Sequence, residues 1–243
     1  MNNSRSAVAI SLAIVISFLI AGNAYKYKFR TAETISVTGL AEKEFVSDQI
    51  VWKGSYSRQM LDLKTAYQLL KEDEGKVRVY LTAKGIAGKE VVFSAVSIEK
   101  NYTQNLNEQG NVKSTQFAGY LLSQSVTVDS RDIEKIEKVS REVTELIESG
   151  IEFSSFPPSY YYTKLSELKV DLLAKASSDA HQRAETIAKN SGSSLGKVKK
   201  AAMGVFQITG QNANEDYSYG GSFNISSKNK KASITLKSEY GVE

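Results

Sequence analysis

His181 is the one histidine in the chain and the one side chain that titrates near neutrality unaided. It lies beside Ala180 in a helical stretch but off that helix's alanine stripe, which suits a structural or solvated flank residue. Catalysis would need an oriented partner and a nucleophile beside it, and no such signature lies near. Acid pairs offer a second chemistry: Glu42 with Glu44, and Glu215 with Asp216, have the groups for general acid/base work. Neighbouring exposed carboxylates ordinarily remain solvated. No phosphate loop, HExxH helix, GxSxG elbow or dinucleotide fingerprint occurs. The chain has no cysteine, which excludes disulfides, thiolate metal sites and cysteine nucleophiles. The expectation is therefore no catalytic, cofactor-binding or metal-binding residues.

Two features point to binding instead. Lys197, Lys199 and Lys200, and Lys228, Lys230 and Lys231, flank two expected strands near the end of the chain. If those strands pair, six ammonium groups share one end of a sheet and could meet anionic lipid or an anionic polymer. The plainer use of such lysines is to keep a strand edge soluble. The run YSYGGSF sets Tyr217, Tyr219 and Phe223 among glycine and serine, an adaptable contact surface and candidate interface. Net charge is +4, from 31 basic and 27 acidic side chains, too small an excess to imply nucleic acid.

Positioning falls to elements that hydrophobic spacing reveals. In TKLSELKVDLLAKASSDAHQRAETIAKN, Leu165, Leu168, Leu172, Ala176, Ala180, Ala184 and Ile187 recur every three or four residues, one face of a helix. Its alanine half permits close approach to a neighbour, and Gly192 suits a left-handed cap. Earlier, residues 34–85 read as strand, strand, helix, with Ile50, Trp52 and Tyr56 facing one way and Asp62 capping the helix. Residues 91–150 repeat the plan, with a polar segment at 101–116 and a helix capped by Asp129 or Ser130. Gly54 interrupts its strand and marks a bulge or a close neighbour. The tyrosines after Pro157-Pro158 suit a short edge strand, and 197–209 and 231–240 read as strands joined by a loop. These elements predict an α+β fold, with mainly antiparallel sheet and helices packed on one face.

A hydrophobic helix precedes that fold. Residues 6–25 carry no charge, and their apolar core, AVAISLAIVISFLIAG, lies between a signal-peptide core and a full membrane span in length. Gly22-Asn23-Ala24 suits signal cleavage. Lys26, Lys28 and Arg30 suit the flank of a retained anchor, and a strict positive-inside count would place the C-terminal side in the cytoplasm. Both readings stay open. Residues 1–30 are thus an anchor or signal segment and 31–243 a single α+β domain.

ISVTGLAE at residues 35–42 with Asp48 beyond it, Tyr160 to Tyr162 with Leu165 and Leu168, and Ala176, Asp179, Ala180, Arg183, Ala184, Ala188, Gly192, Leu195, Gly196 and Val198 together form a pattern that resembles the SIMPL-domain family. His181, Lys175 and Asn190 depart from the family's pattern. The resemblance implies a bacterial envelope protein, anchored in the inner membrane with an extracytoplasmic domain, or periplasmic if the segment is cleaved. It also implies self-association and, from relatives, a link to stress tolerance. The functional expectation is a non-enzymatic envelope protein that forms homo-oligomers or contacts other envelope components. A hydrolase of envelope material and an anionic polymer- or lipid-binding module are the alternatives.

Overall fold

The computed structural model describes residues 2–30, 33–107, 109–212 and 218–242, with the side chains of residues 11–27 in the first stretch. Helix α1 (Asn2–Arg30) comes first, and its described side chains are exposed, Phe18 at 76% and Leu19 at 68%. Among the described residues no helix is long and apolar enough to cross a membrane. The expected membrane segment at 6–25 begins ahead of the described side chains.

The next two strands, β1 (Thr34–Val46) and β2 (Gln49–Met60), are consecutive but belong to different sheets. Asp48, in the turn between them, makes that split possible. Its N–H donates to the Tyr161 carbonyl, and its carboxylate accepts from Thr163 N (2.7 Å) and Thr163 Oγ1 (2.7 Å). The turn is thereby tied to a distant segment instead of closing a hairpin.

β2 pairs antiparallel with β5 (Val112–Ser130). On the far side of β5 lie β3 (Val91–Phe93) and β4 (Ser97–Leu106); on the far side of β2 lie β6 (Phe153–Ser155) and β7 (Ser159–Tyr161). Helix α2 (Leu63–Ala83) and helix α3 (Ile133–Glu142), the latter extended by a 3-10 segment (Val143–Ser149), cover one face of this sheet. Ile50, Trp52, Tyr56, Leu122, Val126 and Val128 project into its core, each at most 2% exposed. Gly54 leaves a notch in that row which the Phe153 ring fills, as the interruption in the strand suggested: a Cβ there would lie 2.3 Å from the ring.

The other sheet, called the first sheet below because it contains β1, also holds β10 (Asn229–Val242) and, end to end along β10's second edge, β8 (Leu195–Met203) and β9 (Gln207–Gly210). Helix α4 (Leu165–Asn190) lies across it. Its buried positions, Leu168, Leu172, Ala176, Ala180, Ala184 and Ala188, are each four residues apart. Such a row slants about 26° to the helix axis, so it can follow twisted strands. Ala188 therefore closes the stripe where Ile187 was expected, and Ile187 is 45% exposed. Gly39 of β1 passes under this row. A Cβ on it would lie 2.1 Å from the Ala176 carbonyl oxygen and 2.6 Å from the Ala180 nitrogen, so only glycine lets the strand come this near.

The fold is α+β, as the pattern predicted, with antiparallel sheets each backed by helices on one face. Two details differ. The polar segment 101–116 is largely strand, because β4 and β5 run on past the sheet as a ribbon. The α3 cap is Asp132, accepting from Lys135 N at 3.2 Å, because β5 stays paired as far as Ile50 opposite Ser130 and delays the turn.

Candidate functional site

Trp52 is wholly buried, and its indole N–H donates to Ser155 Oγ at 3.0 Å. His181 is exposed on α4, its ring 5.7 Å from that of Tyr240 in an edge contact. Glu42 and Glu44 project from the face of the first sheet opposite α4, each with its own partner. Lys231 Nζ lies 2.6 Å from Glu42, and Gln211 Nε2 donates to Glu44 at 2.8 Å. Glu215 and Asp216 lie outside the described residues. Among the described residues no three His, Asp or Glu side chains are grouped to hold a metal ion.

The six lysines do not form one patch. β8 and β10 do pair, but Lys200 is opposite Glu239, whereas Lys228, Lys230 and Lys231 belong to the other end of β10. The strand between Lys230 and Glu239 spans about 30 Å at ~3.3 Å per residue. The strands pair as expected, but antiparallel, so the two clusters lie at opposite ends instead of sharing one. The distal three are also engaged. Lys230 is buried and donates to the Asn224 carbonyl and to Asn224 Oδ1, Lys228 Nζ is 3.5 Å from Glu137, and Lys231 holds Glu42.

Tyr219 stands fully exposed at the rim of a groove of about 660 Å³ on the outer face of the first sheet, also lined by Leu40, Glu42, Val205, Gln207 and Thr235. Gln207 shapes this rim: its Nε2 donates to the Ser218 carbonyl, and its Oε1 accepts from Ser222 N. Phe223 bridges to Ile208 of β9, and Tyr217 lies outside the described residues. This groove and three smaller clefts each carry one carboxylate: Glu42, Asp179, Asp62 and Glu239.

The two long sheet edges are treated differently. Along β1, the Leu40 N–H that faces away from β10 donates to Asp179 Oδ2 at 2.8 Å, and Arg183 Nε holds the same oxygen at 2.8 Å. About two turns earlier on α4, Asp171 meets Lys43 at 3.1 Å. The helix thus blunts the β1 edge. The Leu40 N–H, then Arg183, holds the Asp179 carboxyl below the usual carboxylate range. A folded-state value below the unfolded one, about 3.9, contributes stability that is complete above that pH and fades as pH falls through the folded value. Asp179→Asn is therefore expected to be less stable than wild type in urea at pH 7. The difference should close on acidification below pH ~4.

The β4 edge has no such cover. All ten residues of β4 are exposed, and beyond Lys100 opposite Tyr120 the two strands run on as a ribbon. Asn107 turns its tip, its Oδ1 accepting from Gln109 N (3.1 Å) and Asn111 N (2.8 Å). Three rings lie along the ribbon. Tyr102 and Phe117 are 5.7 Å apart and Phe117 and Tyr120 5.2 Å, both edge-on. The reading of 101–116 as a polar separator missed this surface. The available signal was Tyr102 and Phe117 flanking an Asn- and Gly-containing turn.

Two antiparallel sheets backed by helices, one edge sealed and another left open, place the chain among α+β proteins with an exposed pairing surface. The chain belongs to the SIMPL family: that family's model, described as protein of unknown function (DUF541), matches residues 35–239. The matched region runs from the second residue of β1 almost to the end of β10, so it includes the β1–α4 clamp and the ribbon alike. No curated protein matches the chain.

Proposed function

We propose that this SIMPL protein is a non-enzymatic module of the bacterial envelope, tethered through residues 6–25, that works by associating with further copies of itself. The observation that carries the association is the β4–β5 ribbon. A ten-residue edge strand without proline, charged only at Glu99 and Lys100 and regular from Ser97 to its first register shift at Asn101/Tyr102, offers unpaired backbone groups to another strand. A second copy can add its own β4 antiparallel to the first, a two-fold contact that closes on itself. The aromatic row of Tyr102, Phe117 and Tyr120 then gains cover. Support for the tether comes from the uncharged run at 6–25 and from the exposure of Leu12, Val15, Phe18, Leu19 and Ile20. Support for a non-enzymatic role is that each cleft holds one carboxylate, where acid/base work by paired acids needs two.

Sedimentation of the full chain in neutral detergent tests the association. The wild type is expected to be oligomeric at micromolar concentration. A variant with residues 101–119 replaced by Asn-Gly, which keeps the β2–β5 pairing, is expected to be monomeric with an unchanged melting temperature. A wild type that is strictly monomeric at high micromolar concentration, or a shortened chain that associates equally well, would overturn the reading.

A further inference from the structure

We infer that the end of the first sheet at which β1 begins is the membrane-facing end of the domain, where Lys197, Lys199 and Lys200 rest on anionic lipid headgroups. The inference depends on the tether proposed above.

Chain length supplies the first constraint. Arg30 ends α1 and Thr34 opens β1, and an extended chain between them reaches ~14 Å at most. Wherever the helix is inserted, Thr34 lies close to its exit.

Strand register supplies the second. Thr34 is opposite Gly241, and Lys200 is opposite Glu239, two residues away. The pairing shifts by one between Glu239 and Tyr240, and this bulge turns Lys199 and Lys200 to one face. Lys200 lies across from Glu239, and Lys199 Cε is 2.9 Å from where a Gly241 Cβ would be. Thr34 Oγ1 donates to Glu239 on that same face, at 2.8 Å. The register thus carries three exposed lysines to the strand end nearest the tether.

The charge distribution supplies the third. The distal lysines are occupied by Glu137, Glu42 and Asn224, whereas no ion pair holds Lys197, Lys199 or Lys200 among the described residues. At the tether end the described acids of the sheet are Glu33 and Glu239, while Glu185 of α4 is held by Lys189 at 2.9 Å. The two sheet acids face these three lysines, Lys237 on the neighbouring strand and, in sequence, Lys26, Lys28 and Arg30. A basic excess directly beside an inserted segment is what an anionic leaflet attracts, within about one Debye length.

The absence of cysteine permits a direct test in the full chain. Single variants Ser194→Cys, at the tether end, and Asn229→Cys, at the distal end, carry a fluorophore. They are reconstituted into vesicles of three parts phosphatidylcholine to one part phosphatidylglycerol that contain a headgroup-attached quencher. Quenching is expected to be several-fold stronger at 194 than at 229. Adding Lys197→Glu, Lys199→Glu and Lys200→Glu should lower it at 194 to the level found in pure phosphatidylcholine. Equal quenching at the two positions in an incorporated chain would overturn this inference and leave the tether standing. Quenching at 194 unmoved by the three substitutions would likewise overturn it, reducing the lysines to protectors of the β8 edge. A chain that does not incorporate at all would overturn the tether and this inference together.

Discussion

Replacing Gly39 with alanine is expected to destabilise the protein by about 3 kcal/mol or more, at the upper end of overpacking costs. The added carbon would lie 2.1 Å from the Ala176 carbonyl oxygen, 2.6 Å from the Ala180 nitrogen and 2.8 Å from the Ala180 Cβ. Two of these three atoms are helix backbone, so no rotamer change relieves the contact. Either α4 must lift from the sheet, exposing Leu168 and Leu172, or β1 must bow away from β10 and strain the Leu40 bond to Asp179. The loss should appear as a fall of roughly 6–12 °C in melting temperature for a chain of this size. Adding Ala180→Gly should recover little, because the nearest obstacle, the Ala176 oxygen, remains. A variant within about 1 kcal/mol of wild type in urea would mean that the helix and strand are not in this contact.

Arg58→Ala is expected to cost about 3–5 kcal/mol, because it strands a buried charge. The Asp73 side chain, on α2, is 2% exposed, and the guanidinium of Arg58 is its forked partner, Nε to Oδ2 at 2.5 Å and Nη2 to Oδ1 at 2.8 Å. The same Nη2 donates to the Gly150 carbonyl at 2.8 Å, so one side chain joins β2, α2 and the end of the 3-10 segment. Burial, and then the charges of Glu74 and Asp73, push the neighbouring Tyr56 phenol up, so it stays neutral while donating to Gln124 Oε1 at 2.7 Å. Urea unfolding should show Arg58→Ala as the more damaging change and the double variant Arg58→Leu with Asp73→Leu as milder. Removing both partners leaves no unpaired charge. A double variant worse than the single one would count against this account.

What could be read from residues was mostly local. The α4 stripe, the Asp62 cap, with Asp62 accepting from Thr65 N at 2.8 Å, and the glycines that close helices all depend on neighbours a few places away. Gly192 does adopt the left-handed conformation expected of it, and Gly85 and Gly150 adopt it after their own helices. Asp73 was legible in principle: it occupies the buried α2 stripe between Leu70 and Val77, a place for an acid only if a cation meets it. The division into two sheets was not legible, since nothing near Ser47 and Asp48 states that β1 pairs with a strand some 200 residues on (Thr34 with Gly241). The scattering of the lysines follows from the antiparallel register of β8 against β10, which puts the starts of the two strands at opposite ends. The ribbon escaped because strands exposed on both faces have no reason to alternate, and alternation is the signal by which strands are read.

The pairing of β1 with β10 also dictates an order of events during synthesis. The sheet containing β2 draws all its strands from residues 49–161, a continuous stretch that can collapse while translation continues. The other sheet has its outer strand at residues 34–46 and its central strand at residues 229–242, so it cannot close until those later residues have emerged. Sequence-distant pairing of this kind is slow to form. The nascent polypeptide therefore keeps β1 without its partner until residues 229–242 emerge, while the sheet containing β2 is free to form before it.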